Sequence, residues 1–81
     1  MDRSEIEERV KKVVVDVLKV EADRVTGAAT FAQDLGAEST HSIELIAGFE
    51  EEFGIELDEE VAFAVKTVGG AIDHIAEMVA K

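Results

Sequence analysis

Apolar residues recur three and four apart in three separate stretches of this chain, and no cysteine is available to staple those stretches together. Ile6, Val10, Val13, Val14, Val17 and Leu18 make the first stripe. Leu45, Ile46, Phe49 and Phe53 make the second, and Val68, Ile72, Ile75 and Val79 the third. This spacing is that of amphipathic helices, whose apolar faces are stable only when buried against one another. Absence of proline leaves the helices uninterrupted. A chain of 81 residues buries only about 60% of its unfolded surface, in one thin core. A single domain over residues 1–81 follows, without room for a large interior active site.

Local signals place the elements. Ser4 to Glu7 reads as a capping box opening a first helix over roughly residues 3–19, with a β-branched run at Val13 to Val15 that makes it depend on packing. Residues 20–38 form a long loop, in which Thr30 and Gln33 are placed to cap one short turn. A second helix begins near Ser39 and ends at Gly54, with Gly48 inside it costing about 1 kcal/mol relative to alanine. A short helix is expected over roughly 59–65, since the alternation Val61, Phe63, Val65 has no second strand to pair with. Thr67 caps the last helix. The expected fold is all-α: a small four-helix bundle, with three longer helices, one short third helix, and the long loop between helices one and two.

Charge limits the partners. Nineteen acids against eight Lys and Arg give a net charge of −11, and no Lys or Arg occurs between Arg24 and Lys66, where ten acids fall. Phosphate contacts need clustered cations, so nucleic acid is not an expected partner. The anionic surface suits basic protein patches or diffuse cations instead. No apolar run approaches the ~20 residues of a membrane span. "MDRSEIEERV" lacks the apolar core of a signal peptide, so the protein is expected in the cytoplasm.

Catalytic constellations are missing. Acids are too numerous for any pair to stand out, and none is set in an apolar pocket that would raise its pKa. His41 and His74 fall on different helices without ligand spacing, and no EF-hand loop occurs, so no metal site is expected. Ser39 and His41, two apart on a helix, point to different sides and form no dyad. The chain is not expected to be an enzyme. Ser39 by itself reads as a helix N-cap after a glycine turn. The same position also welcomes a phosphodiester, because unpaired N–H groups and the positive end of the helix dipole converge there. On the second helix, Thr40, Glu44, Ala47 and Glu51, with Ile43 and Glu50 beside them, form an outward stripe that is small, acidic and slightly apolar.

The segment "FAQDLGAESTHSIELIAGFEEEFGIEL" resembles the modification site and second helix of acyl carrier proteins, whose usual run is close to D-L-G-A-D-S-L. "IEERVKKVVVDVL" resembles that family's first helix, "DRVTGAATFAQDLG" its loop and "TVGGAIDHIAEMV" its last helix. The resemblance implies that a phosphopantetheinyl transferase, using Mg²⁺, moves 4′-phosphopantetheine from coenzyme A onto Ser39. The arm then ends in the thiol that a cysteine-free chain lacks, and acyl groups ride on it as thioesters. It also implies docking of Glu44, Glu50 and Glu51 on basic patches of acyl-transferring or condensing enzymes, with Glu38, Thr40, Ile43 and Ala47 in the same surface. The acyl pocket is expected to involve Leu45, Ile46, Phe49, Phe63 and Ile72.

Departures from the family pattern cluster near these residues. Glu38 replaces aspartate, Thr40 replaces leucine, His41 stands where an acid is frequent, and Ala47 where a larger apolar residue is common. "LDEE" replaces the usual proline, and "VAFAV" is more apolar than the run it matches. They suggest a specialised carrier serving a dedicated lipid or secondary-metabolite pathway rather than general fatty-acid synthesis, and the carrier is expected to be freestanding and monomeric. Three alternatives stay open: an aminoacyl or D-alanyl carrier, an unmodified carrier-like interaction module, and an acidic cation-binding protein.

Overall fold

The computed structural model describes residues 2–79. It is all-helical, with four α-helices in chain order: α1 (Arg3–Leu18), α2 (Ser39–Phe53), α3 (Glu59–Ala64) and α4 (Val68–Val79). The expected bundle of three longer helices and one short one is what the chain forms. Helix α1 packs against α2 and α4, and α3 packs against α2.

Each apolar stripe faces the shared core. Ile6, Val10, Val13 and Val14 of α1 are buried, as are Leu45 and Phe49 of α2 and Val68, Ala71, Ile72 and Ile75 of α4. Burying Val13 and Val14 lets tertiary packing override the low helix propensity of the β-branched run. Gly48 has a packing reason: a Cβ at that position would lie 2.8 Å from Val13 Cγ1. A side chain there would require Val13 or one of the two helices to shift.

Helix ends follow local chemistry, with one correction at each of the first two starts. Helix α1 begins before Ser4, so the Ser4–Glu7 box does not form. The Asp2 carbonyl accepts the Ile6 N–H at 3.0 Å, and Arg3 pairs with Glu7 one turn on and with Asp73 of α4. The first turn is therefore held by backbone and charge rather than by a hydroxyl. Helix α2 closes at Gly54 with φ 64°, the left-handed terminus expected. Asp58 caps α3, accepting the N–H of Glu60 at 2.9 Å and of Val61 at 3.4 Å. Thr67 Oγ1 accepts the Gly70 N–H at 3.0 Å, as a cap of α4 should.

The loop at 19–38 is more ordered than its composition suggests. A single 3₁₀ turn occupies Ala22–Arg24, and Val25, Ala29 and Leu35 enter the core. Backbone bonds stitch the loop to the segment entering α4: Phe31 N–H donates to the Lys66 carbonyl and Val68 N–H to the Ala29 carbonyl, both at 3.0 Å. Thr30 closes a short turn, but with Asp34 and not Gln33. Its N–H and hydroxyl donate to the Asp34 carboxylate at 2.8 and 3.1 Å, and the Asp34 N–H donates back to Thr30 Oγ1 at 3.1 Å. A carboxylate accepts both donors in charge-assisted bonds, which an amide oxygen makes less strongly. The Thr30 N–H, then its hydroxyl, then the charge of Arg24 hold the Asp34 carboxyl below its ordinary value.

Candidate functional site: the start of α2 and the cavity behind it

Ser39 is the first residue of α2 and is exposed. It is not the N-cap. That position falls on Glu38, extended at φ −98° and ψ 172°, whose carbonyl accepts the N–H groups of His41 and Ser42 at 2.9 and 3.2 Å. His41 Nδ1 in turn accepts the Glu38 N–H at 3.0 Å. This reciprocal clasp fixes the helix start one residue earlier than the sequence suggests. Among the described residues no hydrogen bond engages the Ser39 hydroxyl, which is left at the positive end of the α2 dipole. The capping role of His41 was missed because the third helical position is usually filled for this purpose by Glu or Gln.

Ser42, three residues on and so on the same side of the helix as Ser39, lines a cavity of about 360 Å³. Leu45, Ile46 and Phe49 continue its α2 wall, Phe63 closes it from α3, and Ala71, His74 and Ile75 from α4. Phe31 of the loop and Leu57 of the α2–α3 connection complete the apolar lining. Of the five residues expected around an acyl chain, four lie on this wall. The exception is Ile72, which packs into the buried core and not against the cavity. A helix presents residues about 100° apart, and Ala71, His74 and Ile75 occupy the turn facing the cavity while Ile72 turns aside. Phe63 is 43% exposed and stands at the edge of the cavity.

The outward stripe of α2 is exposed at Thr40, Ile43, Glu44, Ala47 and Glu51, and Glu38 is exposed at its head. Ile43 is 59% accessible, with Val61 and Phe63 of α3 also uncovered. Glu50 departs from the stripe. Its carboxylate accepts the Leu57 N–H at 2.9 Å and anchors the connection to α3. That link was not legible because the two residues are seven apart across a helix terminus. Among the described residues no three His, Asp or Glu side chains gather as metal ligands.

Comparison with known proteins decides what this arrangement is. The family profile described as a phosphopantetheine attachment site matches residues 8–75. The chain belongs to the acyl carrier protein family. It is 49% identical over 72 residues to an acyl carrier protein of Sinorhizobium fredii, covering 89% of this chain and 92% of that one. Acyl carrier protein AcpP of Rhizobium meliloti matches with the same identity and the same coverage. A solved structure of acyl carrier protein from Enterococcus faecalis superposes with a TM-score of 0.78 at 36% identity, over 95% of this chain and 98% of that one.

An acyl carrier protein bears a covalent 4′-phosphopantetheine, and the start of α2 fits that group: an exposed hydroxyl outside the hydrogen-bond network, set at a helix N-terminus where a phosphodiester is electrostatically favoured. A phosphopantetheinyl transferase and acyl-handling enzymes are the partners that membership implies. No helix among the described residues is long and apolar enough to cross a membrane.

Proposed function

We propose that Ser39 is the attachment point and that the chain carries acyl groups between enzymes of a dedicated pathway, sheltering them in the cavity behind α2. The supporting observation is the placement of an exposed, unengaged hydroxyl one helical turn from Ser42, which lines a largely apolar cavity. In the transfer, the Ser39 oxygen attacks the β-phosphorus of coenzyme A, its proton passes to a base of the transferase, and 3′,5′-ADP leaves. When bound, the group supplies a terminal thiol, which this cysteine-free chain does not otherwise possess. The protein is then a substrate of other enzymes and not itself a catalyst.

Docking falls to Glu44 and Glu51, flanked by Glu38, Thr40, Ile43 and Ala47, against basic patches on the partners. Exposed carboxylates around a small apolar centre favour fast, salt-sensitive and transient association, which suits a carrier that visits several enzymes. Residues 1–81 act as one monomeric domain in the cytoplasm. A dedicated pathway is supported by Thr40 beside the attachment point and by the uncovered Val61 and Phe63.

Incubation with coenzyme A and a broad-specificity transferase tests the attachment. The wild-type protein should gain the mass of one arm and Ser39→Ala should gain none; modification of the Ser39→Ala variant contradicts the assignment. In a reconstituted general fatty-acid synthase this carrier should support little turnover. Full replacement of the housekeeping carrier there would contradict the dedicated role.

A further inference from the structure

Serine is among the residues most favoured at a helix N-cap and glutamate is not, yet α2 is capped at Glu38 and takes Ser39 into its first turn. The competition is between neighbours. Gly36 turns at φ 68° and the Ala37 N–H donates to the Phe31 carbonyl at 2.7 Å, so the chain reaches α2 from a fixed point on the loop. What favours Glu38 over Ser39 as the cap is the bond from the Glu38 N–H to His41 Nδ1, at 3.0 Å. It joins an extended Glu38 to the third residue of the helix, a pairing that a cap at Ser39 would break. With Ser39 as the cap, its Oγ would accept the Ser42 N–H, the donor that now bonds the Glu38 carbonyl at 3.2 Å. The hydroxyl would then be turned toward the helix and held there.

We propose that His41 is a positioning residue for the modification: by holding the Glu38 N–H it keeps the cap off Ser39 and leaves the Ser39 hydroxyl free for the transferase. The inference rests on the reading that Ser39 is the attachment point. Attack on the β-phosphorus of coenzyme A needs the oxygen lone pair directed outward and the proton open to a base, whereas a capping serine offers its lone pair to the backbone. Either cap is stabilised by about one hydrogen bond, so the bond to His41 is of the size that decides between them. The imidazole acts here as an acceptor, with its proton on Nε2. A glutamine in its place presents a carbonyl oxygen to the same N–H and should serve equally.

The test follows transfer of the arm from coenzyme A by a broad-specificity transferase to the wild-type protein, His41→Ala, His41→Gln and Thr67→Ala. His41→Ala should lower kcat about five-fold, the factor carried by one hydrogen bond, with KM for the carrier unchanged because the docking carboxylates remain. His41→Gln should transfer at the wild-type rate. The Ser39 ¹³Cα and ¹³Cβ resonances should move from helical to cap values in His41→Ala alone. Thr67→Ala, which loses a cap bond on α4, should lose a similar amount of Tm and keep the wild-type kcat. A wild-type kcat in His41→Ala, unmoved Ser39 resonances, or an equal loss of kcat in His41→Gln or Thr67→Ala overturns the proposal while leaving attachment at Ser39 intact. A wild-type protein that takes no arm at Ser39 defeats the attachment reading and this inference with it. In the wild type a trans-hydrogen-bond coupling should connect the Glu38 N–H with His41 Nδ1, and its absence overturns the proposal even if His41→Ala does not fold.

Discussion

Two carboxylates on the second helix look alike in the sequence and do different work. Glu50 accepts the Leu57 N–H, whereas Glu44 is exposed and free for a partner. Glu50→Ala should therefore destabilise the protein by about 1 kcal/mol, a typical value for one lost hydrogen bond. Glu44→Ala and Glu51→Ala should stay within about 0.5 kcal/mol of wild type, yet slow association with the transferase and flatten its salt dependence. Urea unfolding and stopped-flow association measure the two effects separately. Asp34 belongs to the same scale. Its pKa is depressed in the folded protein, so the stability it contributes is present above the unfolded-state pKa of about 4 and is lost as pH falls through the lower folded value. The turn at residues 30–34 should loosen only in strong acid. Amide exchange at Thr30 should show this in the wild type, and Asp34→Asn should remove that pH dependence.

At the scale of elements, the crossing of α1 and α2 fixes the geometry of the carrier face. Gly48→Ala improves helix propensity by about 1 kcal/mol but drives a methyl into Val13 Cγ1, a stiff β-branched side chain. A net loss of about 1–2 kcal/mol is expected, and combining Gly48→Ala with Val13→Ala should cost less than the sum of the two single changes. Elements of this kind are the most legible part of the chain, because periodicity and capping are local properties. Gly54 closes α2 and Thr67 caps the start of α4 through neighbours within four residues. Less legible are features that depend on distant partners. The loop at 19–38 takes its order from bonds to Lys66 and Val68, and the exclusion of Ile72 from the cavity depends on how α4 rotates against α2. Ser39 illustrates both limits: its exposure follows from its position at a helix start, while its release from capping depends on the bond between His41 and Glu38.

For the molecule as a whole, a net charge of −11 and few cross-helix ion pairs set the balance. Arg9–Glu52 at 3.3 Å and Arg3–Asp73 link α1 to its two neighbours, and partly exposed pairs of this kind contribute little. Self-repulsion among the remaining acids opposes compaction. Tm should therefore rise between about 0.01 and 0.15 M NaCl, as the Debye length shortens from about 30 to 8 Å. A calorimetric scan at several ionic strengths measures it. The proposed docking on basic patches draws on the same anionic field, so solubility, stability and recognition should respond together to salt. Peptide mapping of the protein purified from its own cells by tandem mass spectrometry tests the central claim most directly. The account predicts the phosphopantetheine mass on Ser39; finding it on Thr40 or Ser42, or finding the chain wholly unmodified, would contradict it.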